Sequence, residues 1–309
     1  MSYCKPFLSY LHTCREELEK YMRSDPDAAV SVLRTLCYQT GVQDEQHPDY
    51  DDPHIQQLYA LRYMYAYGYE YLEMFRRLLA AQDIPPVVKI LSIGCGNGVD
   101  YWAFREAWLD REDGSRIKYT GLDQADWRMR WGVAYMDSAR MKFKNASVEY
   151  HQGDAVRFLQ ENPVLEYSII IFPKSISEFS EDGFTKLCQA FATAKFQFRM
   201  GNGRIRNTRK VHFLISLRKK EDAVSMVDKL RSDRIAAAME QNGFVLEDAN
   251  AAETFVGQDE YINQGGSFFC YPDKVKDFMD DLDRRGISYR PIRNQQYICN
   301  RVMTFIRKE

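Results

Sequence analysis

The chain has 309 residues, of which 45% are hydrophobic and 28% are charged, proportions that are ordinary for a soluble globular protein. The formal net charge is −2, so the overall charge favours neither a nucleic acid nor a membrane as partner, and any such site must be local. The 7 cysteines are scattered without a Cys-x-x-Cys pair, and the 5 histidines show no ligand spacing. We therefore expect reduced thiols and no metal site. No signal peptide or membrane-spanning run is evident, which predicts a cytoplasmic protein.

The first part of the chain, residues 1–82, shows helical patterns only. Apolar and charged residues alternate at helical spacing over residues 7–22. A second helix is predicted to begin with Asp25 as N-cap and Pro26 at its first position, and to run to Thr40, where Gly41 is placed to end it. Because no strand pattern precedes the segment that starts near residue 87, we interpret this region as a helical N-terminal cap.

A third helix, predicted over residues 54–79, is rich in tyrosine. Tyr63, Tyr67 and Tyr71 recur every four residues and therefore share one helical face. One interpretation is that these rings pack against the rest of the protein, since tyrosine is common at partly buried positions. The other is that Tyr63 and Tyr67 line a site for an aromatic or cationic substrate.

The stretch that organises the chain begins with Val87–Ile93, a short apolar and β-branched run typical of a buried parallel strand. It ends in Gly94-x-Gly96-x-Gly98, and a helical pattern follows. A strand that turns sharply into a helix needs glycines, because they accept positive φ and let a ligand approach the backbone. The N-terminus of the following helix favours an anionic or carboxylate-bearing ligand.

Downstream of the glycines, strand and helix patterns alternate. Further strands are predicted at residues 117–122, 147–151, 167–172, 211–217, 244–256 and 297–306, and helices at 127–141, 155–160, 184–196, 223–242 and 273–285. This alternation predicts an α/β fold with an open, mostly parallel sheet that helices cover on both faces. We place the α/β domain at residues 83–309, with an insertion at about residues 257–296.

The order of these features resembles that of the class I S-adenosylmethionine-dependent methyltransferases. The resemblance rests on the run Ile90-Leu-Ser-Ile-Gly-Cys-Gly-Asn-Gly98, an acidic residue that ends the second strand, Gly-Asp after the third, and an apolar fourth strand that ends in Pro173. Dinucleotide oxidoreductases instead have their third glycine one residue later. The resemblance covers residues 87–255 and implies a Rossmann-like, doubly wound sheet of seven strands with S-adenosyl-L-methionine as cofactor.

The resemblance also implies a cofactor site along the glycine turn and the neighbouring strand ends. Its residues would be Gly94, Cys95, Gly96, Asn97, Gly98, Asp100, Asp123, Gln124, Asp154, Ala155, Phe172 and Pro173. The glycines would leave N–H groups accessible to the amino-acid end of the cofactor, Asp123 would accept from the ribose hydroxyls, and Asp154 would contact the adenine. Alternatively, Asp123 and Asp154 cap the helices that follow them, and Asp100 merely favours a helix N-terminus by its charge.

The segment after the fourth strand, which runs from Phe172 to Glu178, is expected to border the reacting groups, because ligands bind beyond the carboxyl ends of parallel strands. Lys174, Ser175 and Glu178 are candidates to orient a nucleophile or to take its proton. The alternative is that a helix begins near Glu178 and that Lys174 is solvated. The segment lacks the [Asn/Asp]-Pro-Pro-aromatic run that the resemblance would tie to methylation of amino groups.

Residues 195–220 contain many lysines and arginines and no acidic residue, with a turn or hairpin predicted at Gly201-Asn-Gly203. This segment would suit RNA phosphates, or it is a solvated loop before the fifth strand, which the overall charge favours. We therefore expect a methyltransferase that acts on a small-molecule or peptide acceptor, in a pocket closed by the N-terminal helices and residues 257–296. The alternatives are an RNA methyltransferase that docks through residues 195–220, and a non-catalytic protein that binds S-adenosylmethionine.

Overall fold

The computed structural model describes residues 4–36, 48–81, 84, 87–108, 116–127, 146–199, 201–217, 223–247, 253–257, 273–285 and 297–308. Its helices are α1 (Cys4–Ser24), α2 (Pro26–Arg34), α3 (Pro53–Ala81), α4 (Val99–Trp108), α5 (Ala155–Glu161), α6 (Glu181–Thr193), α7 (Ala223–Gln241) and α8 (Asp273–Arg284). Its strands are β1 (Val87–Ile93), β2 (Arg116–Asp123), β3 (Ala146–Gln152), β4 (Val164–Leu165), β5 (Ile169–Pro173), β6 (Lys195–Arg199), β7 (Ile205–Asn207), β8 (Lys210–Ser216), β9 (Phe244–Leu246), β10 (Glu253–Gly257) and β11 (Tyr297–Arg307). None of the helices in these ranges is long and apolar enough to cross a membrane.

The main sheet has the strand order β3-β2-β1-β5-β8-β11-β10. Neighbouring strands from β3 to β8 are parallel, and β11 is antiparallel to both of its neighbours. The chain builds outwards from β1 to β3 and then returns to the other side of β1 to form β5. The crevice between β1 and β5 is therefore the switch point at which ligands of open α/β sheets bind. The predicted Rossmann-like sheet of seven strands is confirmed.

Successive side chains of the central strands belong to two hydrophobic cores, because strand residues point alternately to opposite faces. Val88 and Ile90 of β1 pack in one core with apolar residues from α1, α2, α3, α4 and α8. Leu91 and Ile93 pack in the other, beneath α5, α6 and α7. The N-terminal helices thus cover one face of the sheet and share its core. The boundary that we place between residues 82 and 83 stays a prediction.

The N-terminal helices start largely where the sequence predicts. The Asp25 side chain accepts a hydrogen bond from the Ala28 N–H at 3.1 Å, and Pro26 is the first residue of α2, which confirms the predicted cap. The predicted end of this helix at Thr40 is wrong, because α2 ends at Arg34. Gly41 lies outside the described residues, as does most of the helix predicted over residues 127–141.

Two later predictions need correction. The helix predicted over residues 184–196 is α6, which ends at Thr193, and Phe196 instead lies in β6 because Lys195–Arg199 alternates apolar and polar residues with the period of a strand. The strand predicted over residues 244–256 is two strands, β9 and β10. Both pair with the same edge of β11, opposite β8: β10 pairs with residues 297–301 and β9 with residues 305–307.

Residues 195–207 of the basic segment contain a hairpin, which confirms the predicted turn at Gly201-Asn-Gly203, and residues 218–220 lie outside the described residues. Strand β6 pairs with β4 and, in antiparallel register, with β7. The arginines Arg199, Arg204 and Arg206 are exposed on it. The hairpin leads directly into β8 and therefore lies at the amino end of that strand. Since β8 has 7 residues, the hairpin is roughly 20 Å from the carboxyl edge of the sheet.

Candidate functional site

The carboxyl edge of the sheet brings together most of the residues that the sequence predicts to be functional. In strand order this edge carries Asp154 after β3, Asp123 at the end of β2, the glycine turn after β1, Lys174 after β5, Ser216 at the end of β8 and Asn300 of β11. They meet there because the first five strands are parallel and end on the same side. The antiparallel β11 contributes its beginning instead, since Asn300 pairs with Ser216.

The turn from β1 into α4 requires its three glycines. Gly94, Gly96 and Gly98 have φ angles of 72°, 51° and 78°, which only glycine adopts without strain. A Cβ atom on Gly94 would lie 2.3 Å from the Cβ of Ser175, so the turn is in direct contact with the segment after β5. A Cβ atom on Gly96 would meet nothing closer than the Trp127 ring at 3.6 Å. Gly96 therefore leaves space next to a flat aromatic surface.

The N–H groups of these glycines are already used within the protein. Gly94 donates to the Leu122 carbonyl at 2.8 Å, and Gly98 donates to the Cys95 carbonyl at 2.9 Å. Gly96 donates to the carboxylate of Asp123, also at 2.8 Å. The prediction that these three N–H groups are accessible to a ligand is therefore wrong. The glycines provide room and backbone conformation rather than donors.

Asp123 connects the end of β2 to the glycine turn. Its Oδ2 atom accepts from the Gly96 N–H, and its Oδ1 atom accepts from the Ala125 N–H at 3.0 Å. A carboxylate oxygen accepts more than one hydrogen bond, so a hydroxyl group of a ligand can donate to the same carboxylate. Asp123 is partly exposed. The structure thus places an acidic group directly beside the space at Gly96.

Asp154 takes the alternative role that its sequence position predicts. Its Oδ1 atom accepts from the Arg157 N–H at 2.8 Å, which makes it the N-cap of α5. Its Oδ2 atom is 3.4 Å from the Gln124 side-chain nitrogen, so these two predicted cofactor residues are neighbours. Ala155 follows in the first turn of α5 and is buried. Contact of Asp154 with an adenine stays a prediction.

The other predicted cofactor residues are buried. Asp100 lies in the first turn of α4, as its alternative role requires, and both of its carboxylate oxygens accept from the Tyr119 hydroxyl, at 3.0 and 2.9 Å. Burial raises the pKa of Asp100 to about 6. The Oδ1 atom of Asn97 accepts from the Val99 N–H at 3.3 Å. The remaining three, Cys95, Phe172 and Pro173, are also buried, and a cofactor contact for any of these residues stays a prediction.

Lys174 forms a buried ion pair with α3. Its ammonium group donates to Glu70 Oε1 at 2.8 Å and to the Leu217 carbonyl, and the Ser216 hydroxyl donates to the same Glu70 oxygen at 2.5 Å. The Glu70 side chain is 0% exposed and that of Lys174 is 8% exposed, so the interpretation of Lys174 as solvated is wrong. Burial raises the pKa of Glu70, and the Lys174 ammonium opposes that shift. Among the described non-glycine residues only Lys174 has a positive φ, 60°, a strain that tends to mark functional sites.

The other two candidates for catalysis follow Lys174 directly. The Ser175 hydroxyl donates to the Ile93 carbonyl, which fastens this segment to the end of β1. Glu178 is exposed and ends a 3-10 helix, Ile176–Glu178. A short helix therefore does begin in this segment. The catalytic roles of Lys174, Ser175 and Glu178 stay predictions.

A row of tyrosine rings on α3 runs along the carboxyl edge. The ring centroids of Tyr59 and Tyr63 are 4.7 Å apart, and those of Tyr63 and Tyr67 are 5.2 Å apart with nearly parallel planes. Tyr71 is fully buried, whereas Tyr63 and Tyr67 are partly exposed. Both interpretations of this face therefore have support: one end packs in the core, and the middle borders the edge.

The ends of this row contact the two parts of the site. At one end the Tyr59 ring lies 5.2 Å from the ring of Trp127, the residue that faces Gly96. At the other end the ammonium group of Lys174 lies 5.6 Å from the ring centroid of Tyr67. The row thus joins the glycine turn to the buried ion pair along one side of the crevice.

Four residues of this edge were missing from the predicted site: Glu70, Trp127, Ser216 and Asn300. Glu70 stands between two tyrosines in the sequence of α3, and an acid on a buried face requires a partner. Ser216 is a polar residue at the end of the apolar run 213–215, and Asn300 directly follows the apolar pair Ile298-Cys299. These sequence patterns could have identified the three residues as site candidates. The identity of the partners could not follow, because Glu70 and Ser216 are 146 residues apart.

No family model and no curated protein matches the chain. Solved structures to which the chain is similar include the mitomycin 7-O-methyltransferase MmcR, with 14% identity and a TM-score of 0.37 over 77% of this chain and 54% of that one. A cyclopropane-fatty-acyl-phospholipid synthase-like protein from Lactobacillus casei has 12% identity and a TM-score of 0.41 over 78% and 92% of the two chains. A spermidine synthase has 14% identity and a TM-score of 0.35 over 57% and 53%.

The chain thus spans about half the length of the mitomycin methyltransferase and of the spermidine synthase. At these identities and TM-scores, no conclusion about activity rests on the similarity. The strand order itself gives the Rossmann-like fold that the resemblance to class I methyltransferases implies.

Replacement of Asp100 by asparagine is expected to change how stability depends on pH. The pKa of Asp100 is about 6 in the folded protein against an ordinary value of 3.8 for an aspartate, so the folded state binds the proton more tightly. This stabilising contribution is complete below about pH 4 and is lost as the pH rises through about 6. The free energy of unfolding of both proteins is measured with urea at about pH 4 and about pH 7.5. Relative to the wild type, Asp100→Asn is expected to gain about 2–3 kcal/mol between the lower and the higher pH. The same difference at both pH values would contradict the assignment.

Removal of one partner of the buried ion pair is expected to be costly. Lys174→Met leaves the Glu70 carboxylate buried without its cation and should lower the free energy of unfolding by about 3–5 kcal/mol. The double variant Lys174→Met/Glu70→Leu should lose less than the sum of the two single variants, which a double-mutant cycle measures.

The matched control is Lys186→Met. Lys186 forms an exposed pair with Asp182 at 2.6 Å, and the loss of an exposed pair is expected to cost at most about 0.5 kcal/mol. If Lys174→Met were no more destabilising than Lys186→Met, the ion pair would not be buried in solution.

Proposed function

We propose that this protein is an S-adenosyl-L-methionine-dependent methyltransferase that acts on a small-molecule or peptide acceptor. The observation that carries the proposal is the hydrogen bond between the Asp123 carboxylate and the Gly96 N–H. It joins the acidic end of β2 to a glycine turn with three positive φ angles, at the switch point of a doubly wound sheet. Such a crevice is where open α/β sheets bind nucleotide-like ligands.

The residues present fit the cofactor. Its ribose hydroxyls need an acceptor, and the partly exposed Asp123 is suited to be one. Its body needs space against the backbone, which Gly96 provides beside the Trp127 ring. When bound, the cofactor supplies a methyl group on a positively charged sulfur. Aromatic faces attract such a cation, and Trp127, Tyr59 and Tyr63 offer several in succession.

The second half of the edge, which carries Lys174, Ser216 and Asn300, suits the acceptor. The partly exposed rings of Tyr63 and Tyr67 offer a surface for an apolar or aromatic body. Lys174 donates to Glu70, and Ser175 donates to the Ile93 carbonyl. We therefore assign both residues a positioning role: they hold the segment after β5 between the two halves of the edge. Glu178 is the exposed member of the three and is our candidate for proton acceptor. Holding two reactants in line is most of what methyl transfer requires of a protein.

The position of the basic hairpin bears on the RNA alternative. Arg199, Arg204 and Arg206 lie at the amino end of β8, opposite to the glycine turn. A nucleotide held by these arginines would be roughly 20 Å from the methyl group. The geometry therefore favours a small acceptor over an RNA docked through these three arginines, whereas Arg218, Lys219 and Lys220 of the basic segment lie outside the described residues. The non-catalytic alternative shares the cofactor site and differs only in the absence of turnover.

Binding of S-adenosylmethionine by isothermal titration calorimetry tests the proposal. We expect saturable binding that Asp123→Asn weakens by about 1.5–3 kcal/mol, because a charged acceptor is lost. Glu161→Gln, an exposed carboxylate at the end of α5, should leave the affinity unchanged.

Release of S-adenosylhomocysteine in the presence of candidate acceptors would separate the enzyme from a non-catalytic binding protein. Binding of NAD without binding of S-adenosylmethionine would show the proposal to be wrong.

A further inference from the structure

The second half of the carboxyl edge contains two buried polar side chains with unused hydrogen-bonding capacity. Glu70 Oε1 accepts from Lys174 and Ser216, whereas Glu70 Oε2 is buried and has no hydrogen-bond partner among the described residues. Asn300 of β11 is 0% exposed, and in the part of the chain that the structure describes neither its side-chain oxygen nor its side-chain nitrogen has a partner. Buried polar groups are nearly always paired, so groups like these require an explanation.

The two side chains lie close together. Asn300 is directly opposite Ser216 in the antiparallel pair of β8 and β11, and such residues point to the same face with their Cβ atoms about 5 Å apart. The Ser216 hydroxyl is in turn 2.5 Å from Glu70 Oε1. Ser216 and Asn300 therefore form one polar cluster with Glu70, on the face of the sheet that α3 covers.

The chemistry of this cluster defines the group that it would bind. Lys174 compensates the charge of Glu70, so the cluster has no net charge with which to attract an ion. The carboxylate oxygen of Glu70 accepts a hydrogen bond, and the Asn300 amide both donates and accepts. The matching ligand group is small and uncharged and carries a hydrogen to donate, which describes a hydroxyl or an N–H group.

The cluster also lies beside the proposed acceptor surface. The Lys174 ammonium, which is bonded to Glu70, is 5.6 Å from the ring centroid of the partly exposed Tyr67. An apolar body that contacts the rings of Tyr63 and Tyr67 would therefore have Glu70 and Asn300 beyond the end of the tyrosine row that is farthest from Gly96.

We infer that Glu70 and Asn300 form a recognition subsite for the acceptor, which takes an uncharged hydroxyl or N–H group of that molecule. The inference rests on the proposed function in one respect, that the ligand is the acceptor of methyl transfer. The subsite explains why two polar groups are buried without partners: they are satisfied when the acceptor is bound. It would also reject analogues that lack the donor, because these would leave the buried groups unpaired.

The experiment uses phenol and anisole as probes, since they share a ring and differ in the donor hydroxyl. Binding of each probe to the full chain is measured by NMR titration. We expect the wild type to bind phenol at least about tenfold more tightly than anisole and Asn300→Leu to bind both equally. If that variant does not fold, Asn300→Ala replaces it. Asn300→Leu should also raise Tm by about 2–5 °C, because it removes an unsatisfied buried amide.

Thr304→Val is the matched control. Thr304 is buried on the same strand and the same face as Asn300, but its hydroxyl is paired with His212 Nδ1 at 3.0 Å. This variant should therefore lower Tm and keep the preference for phenol. Retention of the preference for phenol in a folded Asn300→Leu or Asn300→Ala variant would overturn the inference, because the amide would then not contact the donor group. The absence of a preference for phenol in the wild type, whether both probes bind equally or neither binds, would overturn it too.

Titration of the wild type with S-adenosylmethionine separates this inference from the proposed function. Cofactor binding without a preference for phenol contradicts the subsite alone. A preference for phenol without cofactor binding contradicts the methyltransferase proposal and leaves the subsite as a binding site for another purpose.

Discussion

The buried ion pair between Glu70 and Lys174 is the interaction on which the arrangement of the site depends. It joins α3 to the segment after β5, and through the Leu217 carbonyl and the Ser216 hydroxyl it also includes the end of β8. A buried ion pair is seldom a net gain in stability, since desolvation of both charges offsets their attraction. Here it also accompanies a strained backbone at Lys174. What the ion pair does provide is a fixed position for α3, whose tyrosine row it holds along the carboxyl edge.

The crevice between β1 and β5 divides this edge into two halves. On one side lie Asp154, Asp123 and the glycine turn, with the Asp123 carboxylate directly bonded to Gly96. On the other side lie Lys174 and the polar cluster of Glu70, Ser216 and Asn300. The contact between Gly94 and Ser175 marks the division, and it is so close that no side chain larger than hydrogen fits at residue 94. A two-reactant enzyme needs such a division, with one ligand on each side and the reacting atoms meeting between them.

The fold was largely predictable because its signals are local. The apolar run Val87–Ile93, the three glycines after it and the alternation of strand and helix patterns depend on neighbouring residues only. The errors concern features that neighbouring residues do not determine. The length of α2 and the split of the strand predicted over residues 244–256 depend on what the segment packs against, and β11 pairs with both pieces from about 50 residues downstream.

The site was predictable only where a strand end determines it. Asp123 and Lys174 were found because parallel strands bring their carboxyl ends together. Their partners were not found in the same way, because Glu70, which pairs with Lys174, lies on α3 and precedes Lys174 by 104 residues. The expectation of accessible glycine N–H groups failed for a similar reason, since the Leu122 carbonyl that accepts from Gly94 lies on the neighbouring strand. Sequence position shows where a polar group lies along the fold, whereas its hydrogen-bond partners depend on tertiary contacts.

The central claim is that the cofactor binds at the glycine turn and on the β2 side of the crevice. Hydrogen–deuterium exchange of the full chain, measured with and without S-adenosylmethionine, tests it most directly. The account predicts slower exchange at residues 94–98 and 123–127 on addition of the cofactor, with residues 201–207 of the basic hairpin unchanged. Slower exchange at the hairpin with none at residues 94–98 would place the ligand at the opposite edge of the sheet and would contradict the account.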